Sequence, residues 1–289
     1  MKRFLILGAS GLLGNRMGIF LKEFDGTFFE SKPHGSGKHH YLDVCHPNQF
    51  KELIDQINPD LVFNCTGFTS VERCEILPEK CWNINCSSIV KIAEICKVNS
   101  IKFVHISTDH FTHHQHFAMR EEDNIDTPNQ YSFSKFKAER MITEVNPESL
   151  IIRTNFFQID LKTPKTYLDR LIISIMSGTS MFSFSDVLFT PISINQLIRS
   201  SMDLISKEIF GTINISSNEV VSKYDFHRLV LNLLDLDNGL LKAASIDDFS
   251  HLVKRPKNMS LDNAKLRGIS DLKIPSIYDM IIEEISVNY

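Results

Sequence analysis

Arg3-Phe-Leu-Ile-Leu7 is a short apolar run that stops at a glycine, and Leu12 to Phe24 then repeats its apolar residues at helical spacing. The chain therefore opens as strand, tight turn and helix. A second strand is expected near Thr27 to Glu30, leading into the loop Ser31 to Gly37, and Tyr41 to Val44 reads as a third short extended segment. Pro47 stands at a natural first helical position and starts a helix that stops near Asn58-Pro59. Buried strands are expected at Leu61 to Cys65, Ile101 to Ile106 and Leu150 to Thr154, separated by helices from about Glu79 to Val98 and from Tyr131 to about Val145. Strand and helix in alternation over such a length predict an α/β fold of Rossmann type, with a doubly wound parallel sheet covered on both faces.

Past Thr154 the alternation weakens. Helices are expected at Thr166 to Ser177, Asn195 to Ser206 and Lys223 to Leu234, with short strands near Val187 to Phe189 and Gly211 to Ile215. The division predicted is a dinucleotide-binding domain over 1–155 and a smaller, mainly substrate-binding C-terminal lobe over 156–289, with segments near 187–215 returning to the first. No repeat, low-complexity tract or charge block interrupts the chain.

The composition of the 289 residues, 43% apolar and 23% charged with a formal charge of −4, is that of a soluble globular protein without a footprint for nucleic acid or an acidic membrane. The apolar run after Met1-Lys-Arg is too short for a signal peptide and no later run reaches transmembrane length, so a cytoplasmic protein is expected. Six cysteines without a CxxC pair suggest small buried thiols. His110, His113, His114 and His116 cluster in one loop and His39-His40 are adjacent, but no cysteine or paired carboxylate stands beside them, so no metal site is expected.

The chemistry concentrates in three places. Gly8, Gly11 and Gly14 follow a buried strand and open a helix, a spacing that permits a tight turn and close approach of a pyrophosphate to backbone; Ser10, Leu12 and Leu13 belong to the same turn. Tyr131 and Lys135, four apart on one helix, point the same way, and an ammonium beside a phenol lowers the phenol's pKa toward neutrality. Thr108 ends a buried strand, where open α/β sheets place ligands, and its hydroxyl would bond a substrate oxygen beside Tyr131. Together these indicate a carbonyl/alcohol oxidoreductase in which Lys135 also holds the nicotinamide ribose.

Counting forward from Gly14, Ser31 falls where the adenosine ribose is read, with Lys32 next to it and Glu30 directed to the opposite face. This favours NADPH, with NADH as the second choice. Asp43, followed by Val44, either accepts from the adenine amino group or caps the helix near Pro47. Asn85 lies either on the active-site side of its helix, positioning water or backbone, or idle on the surface.

With GASGLLG at Gly8, LDV at Leu42, LVFNCTGFTSVERCE from Leu61, NINCSS around Asn85, STDH at Ser107, YSFSK at Tyr131, RTNFF at Arg153, FTP at Phe189 and RPKNMSLD at Arg255, nearly the whole chain resembles the extended short-chain dehydrogenase/reductases, and within them the dTDP-4-dehydrorhamnose reductase family. The resemblance implies a catalytic triad of Thr108, Tyr131 and Lys135, and a small-residue turn Cys65, Thr66 and Gly67 passing the cofactor. It implies substrate contacts from Thr69, Thr108, Asp109, Asn155, Phe156, Phe157, Phe189 and Pro191, with Arg255 near the nucleotide's phosphates. The partner implied is a nucleotide-linked 4-keto-6-deoxy sugar, dTDP-linked by preference, reduced for surface polysaccharide synthesis, and the family leaves room for a homodimer.

Two departures fall near the reacting groups: His110-Phe111-Thr112-His113-His114 replaces the usual aromatic and glycine-containing loop, and Ser132 replaces the usual glycine after the tyrosine. The absence of glutamate after Thr108-Asp109 argues against the related dehydratases, while epimerases share the tyrosine and lysine. A rival of another class is a non-catalytic NADP-binding regulatory subunit, since the plan and RPKNMSLD also resemble the β subunit of methionine adenosyltransferase.

Overall fold

The computed structural model describes residues 3–22, 27–32, 40–113 and 117–288. It divides into two compact units, one of Met1–Thr108, Thr127–Arg153 and Ile205–Ile213, the other of Asp109–Asp126, Thr154–Leu204 and Asn214–Tyr289.

Among the described residues the first unit carries a seven-stranded sheet in the order Gly211–Asn214, Leu150–Arg153, Lys102–Ile106, Leu61–Asn64, Arg3–Leu7, Thr27–Lys32 and His40–Tyr41. The pairings from His40–Tyr41 across to Leu150–Arg153 are parallel. The order reverses between Arg3–Leu7 and Leu61–Asn64, and in such sheets the crevice at the carboxyl ends of that pair receives the ligand. The predicted Rossmann-type architecture is therefore the one observed.

Alternation along the strands sends Leu5, Leu7, Val62, Phe103 and Ile151 into one core with helices Pro47–Ile57, Ser88–Val98 and Gln130–Val145. Pro47–Ile57 shows how local sequence builds this layer. Proline at the first helical position costs no hydrogen bond, Phe50, Leu53, Ile54 and Ile57 bury one stripe, and Asn58 closes the helix in a left-handed conformation at φ 49. Each such apolar side chain contributes about 1.5–3 kcal/mol by leaving water.

Some elements differ from expectation for visible reasons. The single helix anticipated from Glu79 to Val98 is instead Val71–Ile76, Pro78–Trp82, a π-helical turn Asn83–Ser87 and Ser88–Val98. Ser70 Oγ caps the first piece by accepting from Arg73 N at 3.3 Å, and Pro78, without an N–H, can only begin a new one. The third strand stops at Tyr41 because Asp43 turns the chain, its Oδ1 accepting from Cys45 N at 3.0 Å.

In the second unit, helices Tyr167–Met176, Ile194–Ser206, Lys223–Leu233 and Ile277–Asn288 accompany two-stranded sheets, including Met181–Phe184 with Leu241–Ala244 and Leu188–Phe189 with Val221–Ser222. The boundary expected near residue 155 is crossed by the chain. Asp109–Asp126 lies in the second unit, where Met119 N donates to Ser260 O at 2.8 Å and Met119 O accepts from Asn214 Nδ2 at 2.8 Å. Of the segments near 187–215, Ile205–Ile213 joins the first unit, whereas Leu188–Phe189 stays in the second through its pairing with Val221–Ser222.

Candidate active site

The glycine turn is built by contact distances. Gly8 has φ +80, and Gly11 N donates to Gly8 O at 2.9 Å, folding the chain back before helix Leu12–Leu21. A Cβ on Gly14 would lie 2.4 Å from Gly8 O and 2.8 Å from Gly8 C, so only glycine lets the helix begin this close to the strand end. Ser10 and Gly11 are exposed at the turn, and Leu13 and Gly14 are buried beneath it. This is a cradle that fits a pyrophosphate, with a backbone turn at a helix N-terminus. Gly14→Ala is expected to destabilise the unit by about 1–3 kcal/mol through overpacking and to weaken dinucleotide binding; thermal melting and cofactor titration check it, and an unchanged melt would contradict the packing argument.

Next to the turn runs the Cys65-Thr66-Gly67 segment, whose Cys65 N donates to Leu7 O at 3.0 Å. Asn64 Oδ1 accepts from Thr66 N at 3.1 Å and Thr66 Oγ1 at 2.6 Å, which fixes the carboxamide with Nδ2 toward the neighbouring strand. There Nδ2 meets His105 Nδ1 at 2.8 Å. On its other side the His105 ring turns Nε2 toward the tyrosine helix. That nitrogen lies 3.1 Å from Lys135 Nζ, which donates to Ile106 O at 2.6 Å. Burial draws Lys135 down to about 8, with Glu139 pulling the other way, and holds His105 well below the usual histidine range. Asn64 and His105 are thus positioning groups that spacing alone does not reveal; their signal was two polar residues in otherwise apolar strands.

Helix Gln130–Val145 aims the lysine. Asn129 Oδ1 accepts from Ser132 N at 2.9 Å while Ser132 Oγ accepts from Asn129 N at 3.3 Å, a reciprocal cap that starts the helix one residue before Tyr131. Ser132, the departure from the family's glycine, is fully buried and occupied in that cap. Tyr131 is half-buried and Lys135 buried, one turn apart on the same face. Thr108 is buried just past the end of strand Lys102–Ile106. Its neighbour Ser107 donates to Glu139, which accepts from Arg153 Nε at 3.1 Å and Nη2 at 2.7 Å. This buried ion pair ties the strand end to the tyrosine helix.

Asn85 is buried, and the idle-surface reading fails. Its Oδ1 accepts from Phe68 N at 2.7 Å, and its Nδ2 donates to Phe68 O at 3.1 Å and Ser134 Oγ at 3.1 Å, clamping the loop after Gly67 to the tyrosine helix. The π-helical turn Asn83–Ser87 presents it. Asp43 uses one oxygen on Cys45 N and sets the other 3.3 Å from His46 Nδ1, a turn ahead of helix Pro47–Ile57, whose first turn receives no side-chain cap. Val44 packs against the core, and Thr69 is exposed. Ser31 and Lys32 are the last two residues of their strand, Ser31 opposite Leu7; their side chains lie outside the described residues.

The remaining expected residues belong to the second unit. Asn155 Nδ2 donates to Asp109 Oδ2 at 2.6 Å. Phe157 and Phe189 both pack edge-on against Phe226, at 5.0 and 5.4 Å between centroids, so these two phenylalanines are core as much as lining. Phe156 and Arg255 are half-buried and Pro191 is buried. Lys223, which no motif indicated, lies over the Phe189 ring with Nζ 3.3 Å from its centroid. His110 and His113 are within the described residues while His114 and His116 lie outside them, and no metal-competent cluster of His, Cys, Asp or Glu occurs among those described. Among the same residues no helix is long and apolar enough to cross a membrane, and all six cysteines are free thiols.

The family described as RmlD substrate binding domain matches residues 1–285. A probable low-salt glycan biosynthesis reductase, Agl14, of Haloferax volcanii is 26% identical over 282 residues, 95% of this chain and 94% of that protein. A dTDP-4-dehydrorhamnose reductase of Aggregatibacter actinomycetemcomitans is 25% identical over 92% of each chain. The crystal structure of dTDP-4-dehydrorhamnose reductase from Bacillus anthracis in complex with NADP superposes with a TM-score of 0.89 at 23% identity, covering 99% of this chain and 100% of that one.

Proposed function

The chain belongs to the RmlD substrate binding domain family, within the extended short-chain dehydrogenase/reductases, and on that premise we propose that it is an NADPH-dependent reductase of a nucleotide-linked 4-keto-6-deoxy sugar, dTDP-linked by preference. The observation carrying this reading is the buried Lys135, held by Ile106 O one turn from Tyr131 and beside the strand that ends two residues before Thr108. Reductases among its relatives, and a neighbour crystallised with NADP, support the cofactor and the class of substrate.

The glycine turn, Cys65 to Gly67, Ser31, Lys32 and Lys135 would hold the cofactor, which supplies hydride when bound. Tyr131 gives its proton to the C4 oxygen as that oxygen gains charge, and Thr108 orients the oxygen by a hydrogen bond. Lys135 as ammonium keeps the phenol acidic enough to do so. Arg255 holds phosphate and is needed equally before and during the reaction. The product of such a reductase would feed surface polysaccharide synthesis.

The test is to incubate the protein with NADPH and a panel of dTDP-, UDP-, GDP- and CDP-linked 4-keto-6-deoxy sugars while following nicotinamide absorbance. Consumption with one nucleotide series is expected; NADPH that binds without being consumed by any of them would favour the regulatory-subunit reading.

Two further outcomes follow from the same assignment. Because the ammonium is the working form of Lys135 and is lost as pH rises through about 8, kcat/KM should fall on the alkaline side of that value, and a profile flat well above it would contradict the role. Lys32→Ala should narrow the preference for NADPH over NADH, since an ammonium pairs with the 2′-phosphate; equal affinities in the unmodified protein would remove the assignment.

A further inference from the structure

We infer that Lys223 is a second phosphate-binding cation, acting with Arg255 on the diphosphate of the substrate; this rests on the nucleotide-sugar reading above. Lys223 is half-buried at the first position of helix Lys223–Leu233, with its backbone N donating to Val187 O at 2.9 Å. The partial positive charge of a helix N-terminus disfavours a cation there, so helix stability does not account for the residue. Ser222 and Asp225 already satisfy that end of the helix, Ser222 Oγ accepting from Asp225 N at 2.9 Å.

The side chain is held rather than loose. Its Nζ stands 3.3 Å from the centre of the Phe189 ring, which Phe226 braces edge-on at 5.4 Å. Among the described residues no acceptor takes a hydrogen bond from Nζ, so its donors are available to a ligand. Asp109 and Arg255 both act on its charge, Asp109 favouring the ammonium and Arg255 opposing it, while burial is the larger influence and brings Lys223 down to about 8. Asp109 also accepts from Asn155 at 2.6 Å, which shares its charge. His227, one turn further along the helix, adds no cation: burial first and Lys223 second hold it neutral, near 3, and its Nδ1 pairs with Ser183 Oγ at 2.7 Å.

A cation with open donors, fixed over an aromatic ring and with the Arg255 guanidinium acting against its charge, calls for an anion more than for a neutral hydroxyl. A diphosphate supplies several acceptor oxygens and the compensating charge. The four groups concerned are Phe189, Asp109 and Arg255, expected from sequence, and Lys223, which was not.

Calorimetric titration of the NADP-saturated protein with dTDP, UDP, GDP and CDP tests this, on the parent and on Lys223→Met and Lys223→Arg. The preferred diphosphate should bind Lys223→Met about tenfold or more weakly, as expected for a lost hydrogen bond to a charged group, and Lys223→Arg within about threefold of the parent because a guanidinium keeps both charge and ring stacking. NADPH affinity should be the same in all three, which shows that the variants are folded. Parent-like binding of the diphosphate by Lys223→Met would overturn the inference alone. Failure of the parent to bind any of the four would overturn it together with the nucleotide-sugar reading.

Discussion

Tyr131→Phe is expected to lower kcat by about 10²–10⁴-fold while leaving NADPH affinity nearly unchanged, because it removes one proton donor and no packing surface. The helix that carries it starts from the Asn129 and Ser132 cap, which the substitution does not touch. Steady-state kinetics with fluorescence titration of NADPH separate the two quantities. Lys135→Met should damage both, since the lysine conditions the phenol and is expected to hold the ribose. Near-parental turnover by Tyr131→Phe would mean that proton delivery has been assigned to the wrong group.

The second large effect lies under the site. Arg153 and Glu139 are both almost wholly buried and joined at 2.7 Å, with Ser107 also donating to Glu139. Arg153→Met leaves a carboxylate buried without its cation, which typically costs about 3–5 kcal/mol. Replacing both, as Arg153→Met with Glu139→Leu, should recover most of that loss, because two apolar groups need no partner. Chemical denaturation of the three proteins measures the differences; equal losses in the single and double variants would show that shape, rather than the isolated charge, sets the cost.

Short apolar runs bounded by turn residues are legible in the sequence. Arg3–Leu7, Leu61–Asn64 and Lys102–Ile106 are mainly apolar runs too short for a helix, and the glycine spacing at Gly8 and Gly14 has a steric cause that the contact distances reproduce. Of the short strands of the second unit, Leu188–Phe189 is legible near Val187 to Phe189, but its partner and most of the others are not. Strands of two residues such as Val221–Ser222 carry no periodicity, and Met181–Phe184 is paired by a segment as distant as Leu241–Ala244. The same division runs through the site. Tyr131 and Lys135 are readable because helical spacing decides which residues share a face. Asn64 with His105, Arg153 with Glu139, and Lys223 with Phe189 depend on which strands and helices become neighbours, and no local pattern announces that.

The most direct measurement is the fate of the hydride. With NADPH deuterated at the transferring C4 position and the preferred 4-keto-6-deoxy sugar nucleotide, mass spectrometry and proton NMR of the product should find one deuterium at sugar C4 for each NADPH oxidised. A converted sugar without deuterium, formed with no net NADPH oxidation, would contradict the reductase account and identify an epimerase chemistry instead.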